Sequence, residues 1–321
     1  MEYRHLGRSG VKVSVLALGN WLTHGGYVAE QNAIDCVHRA YDLGINFFDT
    51  ANVYMRGAAE EVLGKALKPY DRSSYFLATK VFWPMGDGPN DRGLSRKHIM
   101  EQCHASLKRL GVDYVDLYQC HRYDGETPLD ETLRAIDDLI DQGKVLYAGI
   151  SEWTAPQIQD AVAYAEKHGL DRIVSSQPQY SMLHRTIERE VIPLCEREGI
   201  GQVVWSPLAQ GVLTGKYQPG QAPPPNSRAT AGDASQFMHD FLREEVLAGV
   251  QKLKPIADRH HLSMSQLALA WVLRQPNVSS AIVGASRPEQ VEENIGAVGV
   301  TLDEATLAAI DEAVGAVAVR A

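Results

Sequence analysis

The feature of this sequence that most constrains its fold is a strand–helix alternation that repeats eight times. Each short apolar run is followed by a polar turn and then by an amphipathic stretch of helix length. The strand-like runs span residues 15–19, 46–51, 75–81, 115–121, 146–151, 173–177, 203–206 and 280–284. The helical stretches span residues 31–43, 58–67, 96–110, 129–142, 155–168, 187–198, 241–273 and 289–298. Strands that are apolar on both faces are typical of a parallel sheet covered by helices.

Eight consecutive strand–helix units predict an α/β fold, a closed (β/α)8 TIM barrel whose site lies at the carboxyl ends of the strands. An open, doubly wound sheet is the alternative, although no shift in composition marks the chain reversal that it needs. We also predict an N-terminal β-hairpin around residues 7–10 and an extra C-terminal helix over residues 305–317. The long loop after strand seven, residues 208–240, contains three consecutive prolines and is predicted to be a lid. Residues 1–321 are expected to form a single barrel domain.

Composition and charge exclude several classes of function. The chain is 45% hydrophobic and 22% charged, as in globular proteins, and its net charge of −9 argues against a nucleic-acid binder. No apolar run approaches the roughly 20 residues that span a bilayer, so no membrane insertion is expected. The four cysteines form no C-x-x-C pair and the first residues carry no apolar signal segment, which favours the cytoplasm. The chain has no metal-binding spacing and no G-x-G-x-x-G motif, which argues against a metal enzyme and a Rossmann domain.

Four chemically different side chains lie at or just beyond predicted strand ends, namely Asp49, Tyr54, Lys80 and His121. Each has an ordinary structural explanation alone, but a barrel would bring all four to one mouth. A tyrosine has a pKa of about 10, too high for efficient proton donation near neutrality, and a nearby ammonium group lowers it. A carboxylate would keep that ammonium charged, while tyrosine and histidine would both donate to the oxyanion that develops when hydride reaches a carbonyl carbon.

These residues lie in segments that resemble the aldo-keto reductase superfamily. The matching segments are residues 46–54, 78–80, 117–122, 284–286 and 290–295. Within the superfamily the chain is most similar to bacterial relatives of the voltage-gated potassium-channel β subunits, on residues 19–21, 177–180, 205–209, 211–217 and 227–228. Some channel subunits lack the family histidine, so the presence of His121 favours an active reductase.

The resemblance implies the catalytic tetrad Asp49, Tyr54, Lys80 and His121, with the tyrosine as general acid. It also implies that NADPH lies across the barrel mouth, with its nicotinamide ring on Trp205 and its carboxamide held by Ser151 and Gln177. The other residues implied to contact NADPH or NADP+ are Gly19, Asn20, Trp21, Asp49, Ser206, Pro207, Leu208, Gln210, Gly211, Lys216, Arg228, Gly284, Ser286, Arg287, Gln290, Glu293 and Asn294. The predicted substrate walls are Trp21, Tyr54, Phe82, Trp83, His121 and Tyr123.

Two arginines bear on specificity. Ser286 and Arg287 precede Pro288 at a predicted helix start, where free N–H groups favour a phosphate. A guanidinium at Arg287 suits the 2′-phosphate of NADPH, so NADPH is expected in preference to NADH. Arg56 follows Tyr54 closely, so it is either a cation that meets a polar or anionic substrate or a solvated loop residue.

The sequence therefore predicts an NADPH-dependent oxidoreductase that reduces aldehydes or ketones to alcohols, with Tyr54 as general acid. The alternative is an NADPH-binding, redox-sensing subunit that acts through a partner protein such as a channel. A lyase or isomerase on the same barrel is less favoured, because Trp205 and the segment at Ser286 would then have no role. The expected partners are a small-molecule carbonyl substrate and further copies of the same chain. The sequence does not specify the physiological substrate.

Overall fold

Eight parallel strands close into a barrel in the computed structural model, which describes residues 1–21, 28–225, 227–230 and 238–320. They are β3 (Leu16–Gly19), β4 (Phe47–Asp49), β5 (Phe76–Val81), β6 (Val115–Cys120), β7 (Val145–Ile150), β8 (Ile173–Ser176), β9 (Gly201–Val204) and β10 (Val278–Val283). Each strand pairs with the next in chain order, and β10 pairs with both β9 and β3. The closed order confirms the predicted TIM barrel and rules out the open sheet. All eight predicted strands are present, with ends that differ by at most two residues.

Helices surround the barrel. They are α1 (Glu30–Asp42), α2 (Ala58–Leu67), α3 (Arg96–Leu110), α4 (Leu129–Asp141), α5 (Ala155–His168), α6 (Val191–Glu198), α7 (Glu244–Gln251), α8 (Lys254–Arg259), α9 (Met264–Leu273), α10 (Pro288–Ile295) and α11 (Glu304–Val314). Ser95 caps α3 by accepting the backbone N–H of His98, and Thr154 forms a capping box with Gln157 at the start of α5. None of the helices in the described ranges has the length and apolarity needed to cross a bilayer.

The predicted N-terminal hairpin, β1 (Tyr3–His5) and β2 (Lys12–Ser14), lies against the amino ends of the barrel strands. Its backbone is tied to the barrel, because Ser279 Oγ donates to the carbonyl of His5 at 2.9 Å and the N–H of Arg8 donates to the carbonyl of Gly199 at 2.9 Å. Gly7 has a φ of 56°, and a Cβ there would meet the carbonyl oxygen of Gly199 at 2.3 Å. The hairpin therefore closes the end of the barrel opposite the carboxyl ends of the strands.

The barrel interior is layered. Toward the hairpin it is filled by a separate apolar cluster consisting of Leu6, Val13, Ala17, Phe47, Phe76, Ala78, Leu117, Val203 and Ile282. Nearer the carboxyl ends the inward-facing residues become polar, with Asp49, Lys80 and Gln119 all buried. Apolar packing below and helices outside thus hold a charged layer rigidly at one mouth of the barrel.

Two predicted elements differ from the structure. The helical region 241–273 is divided into α7, α8 and α9, because Pro255 lies in the first turn of α8 and His261 takes a left-handed φ of 56° between α8 and α9. The predicted loop 208–240 is not structureless, since short 3-10 helices cover Ala209–Thr214 and Arg228–Thr230. Asn226 and residues 231–237 of that loop lie outside the described residues, so its action as a lid stays a prediction.

The C-terminal helix was predicted correctly, with α11 ending three residues earlier than expected. After it the chain returns to the segment that follows β8. The N–H of Arg185 donates to the carbonyl of Val319 at 2.7 Å, and the N–H of Val319 donates to the carbonyl of Leu183 at 2.9 Å. The buried Arg185 guanidinium also forms an ion pair with Asp311 on α11. The last residues are thus fastened to the barrel.

Candidate active site

A cavity of about 1020 Å³ opens at the carboxyl ends of the strands. One end holds Asp49, Tyr54 and His121, and the other reaches the N-terminus of α10 at Ser286 and Arg287. Its lining combines polar groups with indole and aliphatic walls, as ligand pockets usually do. The cavity is therefore a candidate site for an extended ligand with one reactive end and one anionic end.

An ion pair lies at the floor of this cavity. Lys80, fully buried on β5, donates from Nζ to Asp49 Oδ1 at 2.5 Å and to the carbonyl of Thr50 at 2.8 Å. Its third donor bond goes to the Tyr54 hydroxyl at 3.3 Å. Burial acts to lower the pKa of Lys80, but the negative charge of Asp49 and the hydrogen bonds to Asp49 and Tyr54 outweigh it and raise that pKa. Lys80 is therefore an ammonium ion directed at the tyrosine hydroxyl.

Two glutamine side chains fix the other oxygen of Asp49. Gln177 Nε2 donates to Asp49 Oδ2 at 2.9 Å, and Gln119 Nε2 donates to the same oxygen at 3.2 Å. Ser151 Oγ donates to the backbone carbonyl of Gln177 at 2.8 Å. Ser151 and Gln177 line the cavity as predicted, but these bonds use their donor hydrogens within the protein. What they can offer a carboxamide is acceptor lone pairs for its N–H groups.

His121 follows β6 and forms the next part of the wall. Its ring centre is 5.7 Å from that of Tyr54 and 6.3 Å from that of Trp83. Burial, followed by the charges of Lys80 and Arg122, places the pKa of His121 well below its usual value of 6.5. The imidazole is therefore neutral near pH 7 and can donate one N–H hydrogen bond without bringing a second positive charge to Lys80.

The pKa of Tyr54 differs from the expectation stated above. Burial raises it above 10.0, Lys80 and Arg122 act to lower it, and burial prevails. The ammonium of Lys80 acts to lower the pKa of Tyr54, as predicted, but burial sets the net direction of the shift. A phenol with a raised pKa is fully protonated at neutral pH, and Lys80 stabilises the phenolate that a proton transfer would leave.

Three cations face the far end of the cavity. Lys216, Arg228 and Arg287 all line it, and they are close enough to repel one another. Partial burial, followed by the charges of Arg228 and Arg287, lowers the pKa of Lys216. Ser286 is held by Gln290, whose Oε1 accepts the Ser286 N–H at 2.8 Å, and the N-cap of α10 is Arg287. A cluster of cations beside a helix N-terminus is a typical site for phosphate groups.

The turn after β9 has unusual backbone. Ser206, Ala209 and Gln210 have φ values of 56°, 47° and 58°, and Gly211 follows at 91°. Left-handed backbone in residues with a Cβ is costly and is found where a site demands it. The Gln210 side chain accepts a hydrogen bond from the Arg228 guanidinium, which links this turn to the cation cluster.

The cavity brings together the predicted cofactor residues and most of the predicted substrate walls. Lining residues on the cofactor side are Gly19, Asn20, Trp21, Asp49, Ser151, Gln177, Trp205, Ser206, Pro207, Leu208, Gln210, Gly211, Lys216, Arg228, Gly284, Ser286, Arg287, Gln290, Glu293 and Asn294. Those on the substrate side are Trp21, Tyr54, Trp83 and His121. Lys80 lies beneath this surface, fully buried.

Two predicted substrate residues and one cation do not reach the cavity. Phe82 packs edge-on behind Trp83 at 5.0 Å between ring centres, and Tyr123 packs against Trp153 at 4.9 Å. Neither contributes to the lining, nor does the exposed Arg56. Both rings pack against neighbouring aromatic side chains instead, and their role as substrate walls stays a prediction. Arg56 has the character of a solvated loop residue.

Sequence reasoning missed three residues that shape the site, namely Arg122, Glu152 and Gln119. Arg122 lines the cavity directly after His121. Glu152, which follows Ser151, accepts the indole N–H of Trp205 at 2.7 Å. Gln119 could have been predicted from the sequence. It lies two residues after Leu117 in β6, so both side chains point to the same face of the strand, into the barrel.

Residues 15–314 match the protein family described as the aldo/keto reductase family, over nearly the whole barrel. The chain belongs to the aldo/keto reductase family. Members of this family are oxidoreductases that generally bind NAD(P)H. Membership of this family agrees with the closed barrel and with the presence of Asp49, Tyr54, Lys80 and His121 at its mouth.

Among aldo/keto reductase relatives, several are named as potassium-channel subunits. The "probable voltage-gated potassium channel subunit beta" of Arabidopsis thaliana is 47% identical over 303 residues, covering 94% of this chain and 92% of the relative. The rice protein of the same name is 45% identical with the same coverage. A putative subunit of this kind from Schizosaccharomyces pombe is 46% identical over 304 residues, covering 93% of this chain and 88% of the relative. The resemblance to channel β subunits is confirmed, but these relatives are from plants and a yeast rather than from bacteria.

Proposed function

We propose that this chain is an NADPH-dependent reductase that converts aldehydes or ketones to alcohols. The observation that carries the proposal is the buried Asp49–Lys80 ion pair with the Tyr54 hydroxyl 3.3 Å from the ammonium, at the floor of a long cavity. This arrangement provides a proton donor and a means to stabilise the phenolate that it becomes. His121 completes the wall above it.

The cavity has the donor set that NADPH requires. Its far end presents three cations and the start of α10, which suit phosphates, and the only acidic side chain there among the described lining residues is Glu293. Among the described residues, none donates to buried Asn20 Oδ1, although Asn20 Nδ2 donates to the carbonyl of Ala59 at 3.0 Å. An unsatisfied acceptor at the wall of a cavity fits a ligand that brings its own donor.

We assign the cofactor contacts by the chemistry of each group. Trp205 offers a flat apolar face for the nicotinamide ring, and Ser151 Oγ and Gln177 Oε1 offer acceptors for its carboxamide. The residues at the ring end would include Gly19, Asn20, Trp21 and Asp49. Pyrophosphate would be held by Ser206, Pro207, Leu208, Gln210, Gly211, Lys216 and Arg228. The adenosine end, with its 2′-phosphate at Arg287, would be held by Gly284, Ser286, Arg287, Gln290, Glu293 and Asn294.

The chain's own residues then carry out the proton chemistry. The reduced nicotinamide, when bound, supplies the hydride that forms the new C–H bond. Tyr54 gives its hydroxyl proton to the carbonyl oxygen as the C–O double bond becomes a single bond. Lys80, kept charged by Asp49, stabilises the resulting phenolate. Neutral His121 donates a hydrogen bond to the same carbonyl oxygen and orients it toward Tyr54.

The direct test follows the absorbance of NADPH at 340 nm while the purified chain is mixed with a panel of aliphatic and aromatic aldehydes. We expect turnover of several panel members and an alcohol product in equal amounts to the NADPH consumed. Tight NADPH binding by calorimetry without any turnover across the panel would overturn the reductase assignment.

A second candidate is favoured by the names of the relatives. Because several are called potassium-channel β subunits, the chain could act as an NADPH-binding subunit that reports redox state to a partner protein. The complete tetrad favours the enzyme, since a sensor has no need of Tyr54 as an acid. We place either activity in the cytoplasm, because all four cysteines are free and buried, and we expect the chain to form homo-oligomers.

A further inference from the structure

We propose that the Arg122 guanidinium is a carboxylate-binding group in the substrate pocket, so that the preferred substrates are carbonyl compounds that carry a carboxylate. This inference deepens the proposed reductase function and rests on it. It concerns the substrate end of the cavity.

Arg122 is held in place by its neighbours. One of its Nη atoms donates to the carbonyl of His121 at 2.6 Å, and its guanidinium lies 5.5 Å from the ring centre of Trp83. These two contacts fix the plane of the guanidinium but leave most of its five N–H donors available. Because Arg122 also lines the cavity, those donors can reach a bound molecule.

No carboxylate within the described part of the chain forms an ion pair with Arg122, whereas arginines elsewhere in the barrel are paired. Asp124, two residues further on, is occupied by the N–H groups of Leu94 and Glu126 and by the Thr127 hydroxyl. Arg72 and Arg109 have buried partners in Asp116 and Glu60. Partial burial of a guanidinium without a carboxylate partner is unfavourable, and a bound anion would reduce that cost.

The charges around the cavity separate into two groups. Arg228 and Arg287 influence the pKa of Lys216, which places these three cations together at the proposed phosphate end. Arg122 instead influences the pKa of Tyr54 and of His121. Arg122 therefore belongs, with Lys80, to the reactive end and not to the cations assigned to the cofactor phosphates.

The acidic side chains do not neutralise it. Among the described residues, only Asp49 and Glu293 bring carboxylates to the cavity wall. Asp49 is paired with Lys80, and Glu293 lies on α10 at the opposite end. A substrate carboxylate at Arg122 would thus meet an uncompensated positive charge, while the apolar surfaces of Val53, Trp83 and Pro84 would cover the rest of the molecule.

Arg122 takes no part in bond making. The hydride and the Tyr54 proton still add across the carbonyl, and the carboxylate keeps its charge throughout. A bidentate guanidinium–carboxylate contact would hold the substrate in one orientation, with its carbonyl directed at Tyr54 and His121.

The test compares 4-carboxybenzaldehyde with its methyl ester, in which a methyl group removes the negative charge of the carboxylate. For the carboxylate we expect Arg122→Met to lower kcat/KM about ten- to hundredfold, the usual value of a charge-assisted hydrogen bond. For the ester we expect a change of less than about twofold, and Arg122→Lys should recover part of the loss. Arg56→Met is the matched control, because Arg56 is exposed and does not line the cavity, so it should treat both substrates as the wild type does.

A binding measurement separates this inference from the reductase assignment. Calorimetry of 4-(hydroxymethyl)benzoate with the NADP+-saturated chain should give a dissociation constant about ten- to hundredfold higher for Arg122→Met than for the wild type. If no aldehyde is reduced, the proposed function fails, and this calorimetry alone still decides the role of Arg122. Equal dissociation constants, or equal losses for the acid and the ester, would overturn the inference.

Discussion

The indole of Trp205 is anchored by the carboxylate of Glu152, which accepts its Nε1–H at 2.7 Å. The same carboxylate oxygen accepts the backbone N–H of Gln179 at 2.6 Å. To reach this position Glu152 takes a left-handed φ of 59°, which costs a residue with a Cβ about 1–2 kcal/mol. The surrounding contacts hold Glu152 in this conformation, and the orientation of Trp205 depends on it.

Removal of that anchor should weaken cofactor binding. In Glu152→Ala the indole is free to rotate, and ordering it again on binding should cost about 0.5–1.5 kcal/mol in affinity for NADPH. Glu152→Gln keeps a carbonyl acceptor and should lose less. Isothermal titration calorimetry with NADPH checks both variants. An unchanged dissociation constant in Glu152→Ala would mean that Trp205 does not need this partner to bind the cofactor.

Tyr54→Phe should abolish most of the reductase activity. The variant lacks the proton donor but keeps the ring, so we expect kcat to fall about 10²- to 10⁴-fold while the NADPH dissociation constant stays within about twofold. Tyr70→Phe is the matched control, because Tyr70 stacks on Tyr41 away from the cavity and should retain activity. Steady-state kinetics on one good aldehyde decide the matter. Retained turnover in Tyr54→Phe would remove the tyrosine from the mechanism.

Arg287→Leu should discriminate between the two nicotinamide cofactors. If Arg287 binds the 2′-phosphate, NADPH affinity should fall by about 1.5–3 kcal/mol while NADH affinity changes little. Lys216→Met should weaken both cofactors alike, because pyrophosphate is common to them. Arg189→Leu, whose side chain is 81% exposed, serves as the control for loss of one surface charge. Parallel losses for NADPH and NADH in Arg287→Leu would contradict the assignment.

The neutral state of His121 should appear in the pH dependence of stability. Its folded pKa is lowered well below 6.5, so between these values the unfolded chain binds a proton that the folded chain excludes. Stability is therefore lost as the pH falls below 6.5, and the protonation of this residue in the unfolded chain accounts for part of that loss.

Urea unfolding of the wild type and of His121→Gln at a pH above 6.5 and at one below it measures this contribution. The variant should lose less stability on acidification than the wild type, because the glutamine does not titrate. An identical decrease in both proteins would show that His121 is protonated in the folded chain.

The barrel and the convergence of Asp49, Tyr54, Lys80 and His121 were predictable because every strand of a closed parallel barrel presents its carboxyl end to one mouth. What the sequence could not specify was which neighbour of a strand end faces inward. Trp83 lines the cavity while Phe82 packs behind it, and Arg122 lines it while Tyr123 packs on Trp153. Beyond the last ladder hydrogen bond no period of two fixes these directions.

The direction in which the pKa of Tyr54 shifts could not be predicted from the sequence either. Lys80 was recognised as a neighbour that would lower it, but the opposing effect of burial depends on the packing around the phenol, which residue spacing does not reveal. Glu152 was missed for a related reason. Its left-handed backbone carries the side chain toward Trp205, and nothing in the local sequence marks a glutamate for that conformation.

The pairing of β3 with β10 has a consequence for biosynthesis. Leu16 lies opposite Ala281, and the Arg4 guanidinium donates to the carbonyls of Leu273 and Val278, so the earliest part of the chain needs partners that leave the ribosome among the last. Contacts between residues so far apart in sequence form slowly. In a nascent chain the edge of β3 therefore stays unpaired until β10 has been synthesised. We expect the chain to depend most on chaperones during that interval.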